Sequence, residues 1–181
     1  MTKKEKDLIY SGDADTPLRV LLTTDEKDSL FLRQKSLDIK KVKDNEALQL
    51  LVQRMRVTLE LENGVGLAAP QVGIGRNLFL FVRIDKPEYP VEVVVNPKIT
   101  AHSEDMFCFD DDGCLSVPDA SGTSLRYKWI EVEYLNEQGE TIKEHLQGGS
   151  RFENFIGVIF QHEYDHLQGT LFTDKLCVNE E

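Results

Sequence analysis

The sequence predicts an α+β fold: antiparallel β-sheets around a buried late helix that carries an H-E-x-x-H motif, with one amphipathic helix earlier. Three observations point there. Leu48, Leu51, Val52, Met55 and Leu59 recur at spacings of three and four, the period of one helix face. Between residues 77 and 146, runs dense in Val, Ile, Phe and Leu are divided by turn residues, without the intervening helices that a parallel βαβ order requires. Phe155, Ile156, Ile159, Phe160, Glu163 and Leu167 then return to helical spacing.

Residues 1–42 are rich in Lys and Asp and hold only short apolar groups, 18–22 and 30–32, so they are expected to form an irregular arm on a single domain spanning 1–181. The first helix starts near Asp44, where Asp44 or Asn45 can cap it, and Asn63-Gly64 can end it. Residues 64–73 are mostly small, and Pro70 prevents a continuous helix, which predicts a loop or a short extended piece. Strands are predicted at 77–84, 91–95 and 129–135. Residues 136–139 read as a turn leading to 141–146, an antiparallel hairpin. The last helix is expected over about 153–168, closed by Gly169.

The chain has 181 residues, 40% hydrophobic and 29% charged, with formal charge −11. That sign is wrong for a protein that grips phosphate backbones by counterion release, so no direct nucleic-acid binding is expected. The longest apolar run, Leu78 to Val82, is far short of the ~18–20 residues of a membrane-spanning helix, so no membrane insertion is expected. The first residues carry lysines but no apolar stretch or cleavage site behind them, which predicts a cytoplasmic protein. Cys108, Cys114 and Cys177 make an odd count, read as reduced thiols, with Cys108 and Cys177 as small buried hydrophobes.

The chemistry lies in Gln161-His162-Glu163-Tyr164-Asp165-His166. Four residues on a 3.6-residue helix turn through about 400°, so His162 and His166 project from one side and can share a metal. Glu163 sits about 100° round, able to reach a water beside that metal but poorly aimed as a ligand, which suits a general base. Ile159 continues the histidine stripe, and buried imidazoles require partners, which weighs against two solvated surface histidines. Only Asp174, Glu180 and Glu181 offer carboxylates after the motif, so a third ligand should come from upstream. Cys108, Cys114, His102, His145 and the acidic residues remain open on spacing alone. Cys114, between Gly113 and the Leu115-Ser116-Val117-Pro118 run, has a backbone suited to holding a thiolate.

Three segments together resemble the peptide deformylase family: Gly64-Val65-Gly66-Leu67-Ala68-Ala69-Pro70-Gln71, Gly113-Cys114-Leu115-Ser116, and the His162–His166 motif, with looser agreement at Leu32-Arg33 and Arg126. The resemblance spans about residues 30–176. It implies a metal-dependent hydrolase that removes the formyl group from the N-terminal formylmethionine of newly made polypeptides and releases formate. It assigns Cys114, His162 and His166 to one divalent metal ion, Fe²⁺ in the cell, with Zn²⁺, Ni²⁺ or Co²⁺ also compatible with a thiolate and two imidazoles. Glu163 becomes the proton carrier. The Gln71 amide and the Leu115 backbone N–H become oxyanion donors, and Gly66 offers backbone groups to the substrate. Val65, Val158 and Ile159 are expected along the wall of the methionine pocket.

The chain departs from that family in two places. Asp112 stands where Glu is usual, and residues 119–125 lack an Arg that many members carry there. No basic C-terminal helix follows Leu176, so ribosome association should be weak at most. Two other readings compete. A zinc peptidase on the same helix would not need Cys114, and a structural metal site in a binding module would not need Glu163.

Overall fold

Asn45 opens the longest helix. Its side chain accepts a hydrogen bond from Leu48 N–H, and helix α3, Glu46–Leu61, buries Leu48, Leu51, Val52, Met55 and Leu59, the stripe expected from their spacing. The computed structural model describes residues 1–177. Before α3 come α1, Lys3–Ile9, and α2, Glu26–Leu32. The arm expected to be irregular therefore holds two seven-residue helices. Each is started by a side-chain cap: Thr2 forms a capping box with Glu5, and the Asp25 carboxylate accepts from the N–H groups of Lys27 and Asp28. These local signals outweigh the weak apolar patterning.

Seven strands follow: β1 Gly66–Ala68, β2 Leu78–Val82, β3 Val91–His102, β4 Met106–Cys114, β5 Val117–Tyr127, β6 Trp129–Leu135 and β7 Thr141–Gln147. One antiparallel sheet runs β1-β2-β3-β6-β7, and β4-β5 forms a separate two-stranded hairpin. The expected β6–β7 hairpin is present, with Leu135 opposite Thr141. The loop expected at 64–73 contains β1 and a 3₁₀ turn, Ala69–Val72, in which Pro70 occupies an early position where its missing N–H costs nothing.

The β4–β5 hairpin is absent from the sequence reading. Its strands are rich in Asp, Gly and Ser and expose most of one face, so they lack the apolar alternation that marked the others. The last helix, α4, spans Ile156–Leu167 and starts later than expected, because residues 148–155 run as a loop to Phe155.

Strand β2 is apolar at every position because both of its faces are covered. Leu78 and Leu80 join the α3 side with Leu51, Met55 and Val93. Phe79 and Phe81 join the α4 side with Ile130, Val132, Ile159 and Phe160. Phe160 meets Phe79 edge-on at 4.9 Å and Phe81 at 5.7 Å. Such pairs contribute about 0.5–1.5 kcal/mol each beyond their burial. Helix α4 is thus held by the middle of the sheet.

Cys108 and Cys177 are joined in a disulfide, contrary to the expected reduced thiols. The chain after a second 3₁₀ turn, Phe172–Lys175, lies along β5. Leu176 bridges to Ser124 and Cys177 N–H donates to Thr123 O at 2.8 Å. On β4, Cys108 faces Leu125, one residue further along β5. The odd count concealed this pair because the third cysteine has a separate place. Glu180 and Glu181 lie outside the described residues.

Candidate metal centre

Helix α4 sets His162 and His166 one turn apart with ring centroids 5.1 Å from each other. The end of β4 supplies Cys114, whose Sγ lies 3.2 Å from His166 Nε2. Register shifts in the β4–β5 ladder, after Phe109 and at Gly113/Cys114, turn the cysteine out of strict pairing toward the helix. One ligand atom from each of the three residues falls within a 4.8 Å cluster. His102 and His145 are elsewhere, stacked on Tyr127 and Trp129.

Asp112 fixes the first histidine. Its Oδ1 lies 2.9 Å from His162 Nδ1, which leaves Nε2 for another partner. Oδ2 accepts from Ser124 Oγ at 2.5 Å and from Arg126 Nη2 at 2.7 Å. Arg126 is fully buried and also donates to Asp165 Oδ2 at 2.6 Å. Burial pushes the Asp112 carboxyl up, but the His162 bond and charge, with those of Arg126 and Ser124, outweigh it and hold it well below the usual range. The Asp in place of Glu therefore reaches both histidine and arginine.

Burial likewise pushes the Cys114 thiol up, and the charge of His166 with hydrogen bonds from both histidines overcomes it, so the thiol is held well below its ordinary value. A ready thiolate beside two imidazoles is a donor set for a borderline-soft divalent ion. His166 Nδ1 and Glu163 Oε2 are buried without a hydrogen-bond partner. Glu163 is displaced from the ligand cluster, as its position on the helix requires, and burial raises its carboxyl to about 7. An unpaired carboxylate oxygen at that place suits a group that receives a proton rather than one that binds the ion.

Gln71 is oriented by its own loop. Ala68 N–H donates to Oε1 at 2.8 Å, which turns the NH₂ toward Ser116 Oγ at 3.2 Å and Cys114 Sγ at 3.5 Å. Gly66 is adjacent, and a Cβ built there would stand 2.6 Å from Glu163 Cδ. Its lack of a side chain therefore makes room for Glu163, a reason that the sequence alone does not show.

Gly66, Gln71, Cys114, Leu115, His162 and Glu163 all line one cavity of about 420 Å³, and His166 stands behind Cys114. Val65, Val158 and Ile159 are on its wall as expected, joined by Phe109 and Phe155. The sequence reading missed the Asp112–His162 bond and Arg151, which also lines the cavity. The alternating Asp112, Ser124, Arg126 and Asp165 gave no signal because their meeting depends on an unrecognised hairpin.

Comparison with known proteins gives a consistent result. Residues 19–181 match the family described as polypeptide deformylase. A peptide deformylase of Desulfitobacterium hafniense is 42% identical over 151 residues, covering 83% of this chain and 91% of that one. The crystal structure of peptide deformylase from Thermotoga maritima superposes with a TM-score of 0.77 at 32% identity, covering 90% of this chain and 99% of the other. A class I type b peptide deformylase from Acinetobacter baumannii, solved with Met-Ala-Ser bound, gives the same TM-score, identity and coverage.

Proposed function

Because this chain belongs to the polypeptide deformylase family, we propose that Cys114, His162 and His166 hold its divalent metal ion and that Glu163, Gln71 and Leu115 carry the reaction beside it. The chain is a metal-dependent enzyme that removes the N-formyl group from newly synthesised polypeptides. The observation that carries the assignment is the convergence of three segments, from the small-residue loop, from the end of β4 and from α4, on one cavity.

When bound, the ion supplies Lewis-acid polarisation and brings the pKa of a water toward neutrality. Glu163 Oε2, buried and unpartnered, receives the proton of the attacking water. Oxygen adds to the formyl carbon, and the charge that develops on the former carbonyl oxygen is met by the Gln71 amide and the Leu115 N–H. Gln71 is suited to this because Ala68 holds its amide with the donor end inward. Glu163 then gives its proton to the methionine nitrogen, the C–N bond breaks, and formate and a free amine leave. Val65, Val158 and Ile159 receive the methionine side chain, while Gly66 offers its backbone to the peptide. The Acinetobacter baumannii relative solved with Met-Ala-Ser bound supports a peptide that begins with methionine as the product.

Fe²⁺ is the proposed ion in the cell, with Zn²⁺, Ni²⁺ or Co²⁺ able to replace it at the same donors. The proposed substrates, N-formylmethionyl nascent chains, place the enzyme in the cytoplasm, with weak ribosome association at most and no direct contact with nucleic acid or membrane. No helix among the described residues is long and apolar enough to cross a membrane. The test is formate release from a formyl-Met peptide by anaerobically prepared, Fe²⁺-loaded protein. Glu163→Gln should keep the metal and lose at least about 100-fold in kcat. Cys114→Ala should lose the metal. Formate production undiminished in Glu163→Gln would overturn the assignment.

A further inference from the structure

Arg151 is the one Lys or Arg among the described residues that line the cavity. It comes from the loop between β7 and α4, and its guanidinium lies over the rings of Phe109 at 5.2 Å and Phe155 at 5.8 Å. Its polar contact among the described residues is the backbone carbonyl of Asp111, to which Nη2 donates. No carboxylate of the described residues pairs with it, although Asp111 and Asp112 share the same wall. Two aromatic faces and one carbonyl hold a planar cation in place without neutralising it, and Arg151 is an exposed residue on the lining of the cavity.

We propose that Arg151 is a specificity residue that favours substrates with an acidic side chain in the two residues following formylmethionine, which rests on the deformylase reading above. Phe155, on which the guanidinium rests, precedes His162 by seven residues, about 10 Å along the helix. An extended peptide advances about 3.3 Å per residue, so its second and third residues reach this distance from the reacting carbon. An arginine fork matches a carboxylate, whereas a lysine there meets like charge. The role is one of selection, because the contacts that hold Arg151 are Phe109, Phe155 and the Asp111 carbonyl and include none of Cys114, His162, His166 and Glu163.

The experiment measures kcat/KM of the metal-loaded full chain on amidated formyl-Met-Ala-Asp, formyl-Met-Ala-Ala and formyl-Met-Ala-Lys, and on the same series with the variable residue second. Amidation removes the terminal carboxylate, and formyl-Met-Ala-Ala with a free terminus reports that source of charge separately. The Asp peptides should exceed the Ala peptides by about threefold to tenfold and the Lys peptides should fall below both. The preference should shrink between about 20 mM and about 500 mM salt. Arg151→Gln should abolish it while leaving formyl-Met-Ala-amide unchanged, and Arg151→Glu should invert it. Equal rates on Asp and Ala peptides by the native enzyme overturn the proposal, as does a preference that survives in Arg151→Gln. If only the free terminus responds, the side-chain reading is overturned. Because the first comparison uses the native enzyme, it does not depend on any variant folding. Absence of formate from every peptide would instead defeat the deformylase assignment itself.

Discussion

Gly66 and Glu163 share one small volume, and the glycine is what allows the carboxylate to stand beside the ligand cluster. Gly66→Ala should displace Glu163 and lower kcat by at least about 100-fold, since a general base moved by an ångström loses its alignment. The metal content should stay at the native level, because the three atoms nearest the added methyl all belong to Glu163 and to none of Cys114, His162 and His166. Formate release with parallel metal analysis checks both statements. At this scale the sequence was informative where chemistry sits in a compact motif. The His162-Glu163-His166 spacing gives a shared face and an offset carboxylate directly from helix geometry. Cys114 remained one of several upstream candidates until the resemblance selected it. The Gln71 amide was expected as a donor, yet the Ala68 N–H that turns it inward is a contact from the end of β1 to the 3₁₀ turn that no residue pattern announced.

At the scale of elements, the buried pairing of Arg126 with Asp112 and Asp165 ties the β4–β5 hairpin to α4. Arg126→Met should cost about 3–5 kcal/mol in denaturant unfolding of the protein, because it leaves two buried carboxylates short of their counter-charge. A loss below about 1 kcal/mol would show that the hairpin is held by other contacts. In a second cluster buried Arg83 meets Asp85 from its own loop, Glu92 from β3 and Glu144 from β7, with Lys86 beside them. The Arg83 hydrogen bond lowers the Asp85 carboxyl. Burial raises that of Glu92, but Lys86 and Arg83 outweigh it and leave it lowered. Carboxylates lowered by folding stabilise the protein above their unfolded values, near 4, and this contribution is lost as pH falls through the folded values. The urea midpoint should therefore drop between about pH 5 and pH 3, and less steeply in Arg83→Met. An unchanged slope in that variant would remove the cluster from acid unfolding. Strand β3 was legible from its Val content and β7 from the turn at 136–139 that precedes it. The β4–β5 hairpin was not, because its stability comes from paired charges and a disulfide rather than from a buried apolar face.

At the scale of the molecule, the Cys108–Cys177 bond closes a loop across 69 positions and fixes the chain after α4 to the hairpin that bears Cys114. Chain-entropy arguments give such a closure up to about 4 kcal/mol. Reduction should lower the denaturant midpoint, and thiol titration of the unfolded protein should rise from one group to three. Three thiols in both states would mean that the pair stays open in solution. The acidic charge, the α+β class and the placing of His162 and His166 on one side of the late helix were readable before the fold. What escaped was the pairing of distant polar residues, since Cys108 and Cys177, or Asp112 and Arg126, declare themselves only once the hairpin has formed. The chain order of the proposed ligands has a further result for biosynthesis. Every strand of the described residues, and Cys114 with them, is made before α4, so a growing polypeptide carries that sulfur for some time without either histidine. During that interval the sulfur is exposed to oxidants and to thiol-seeking ions. Correct loading is accordingly a late event in the maturation of each new molecule, favoured by whatever keeps the unfinished chain reduced.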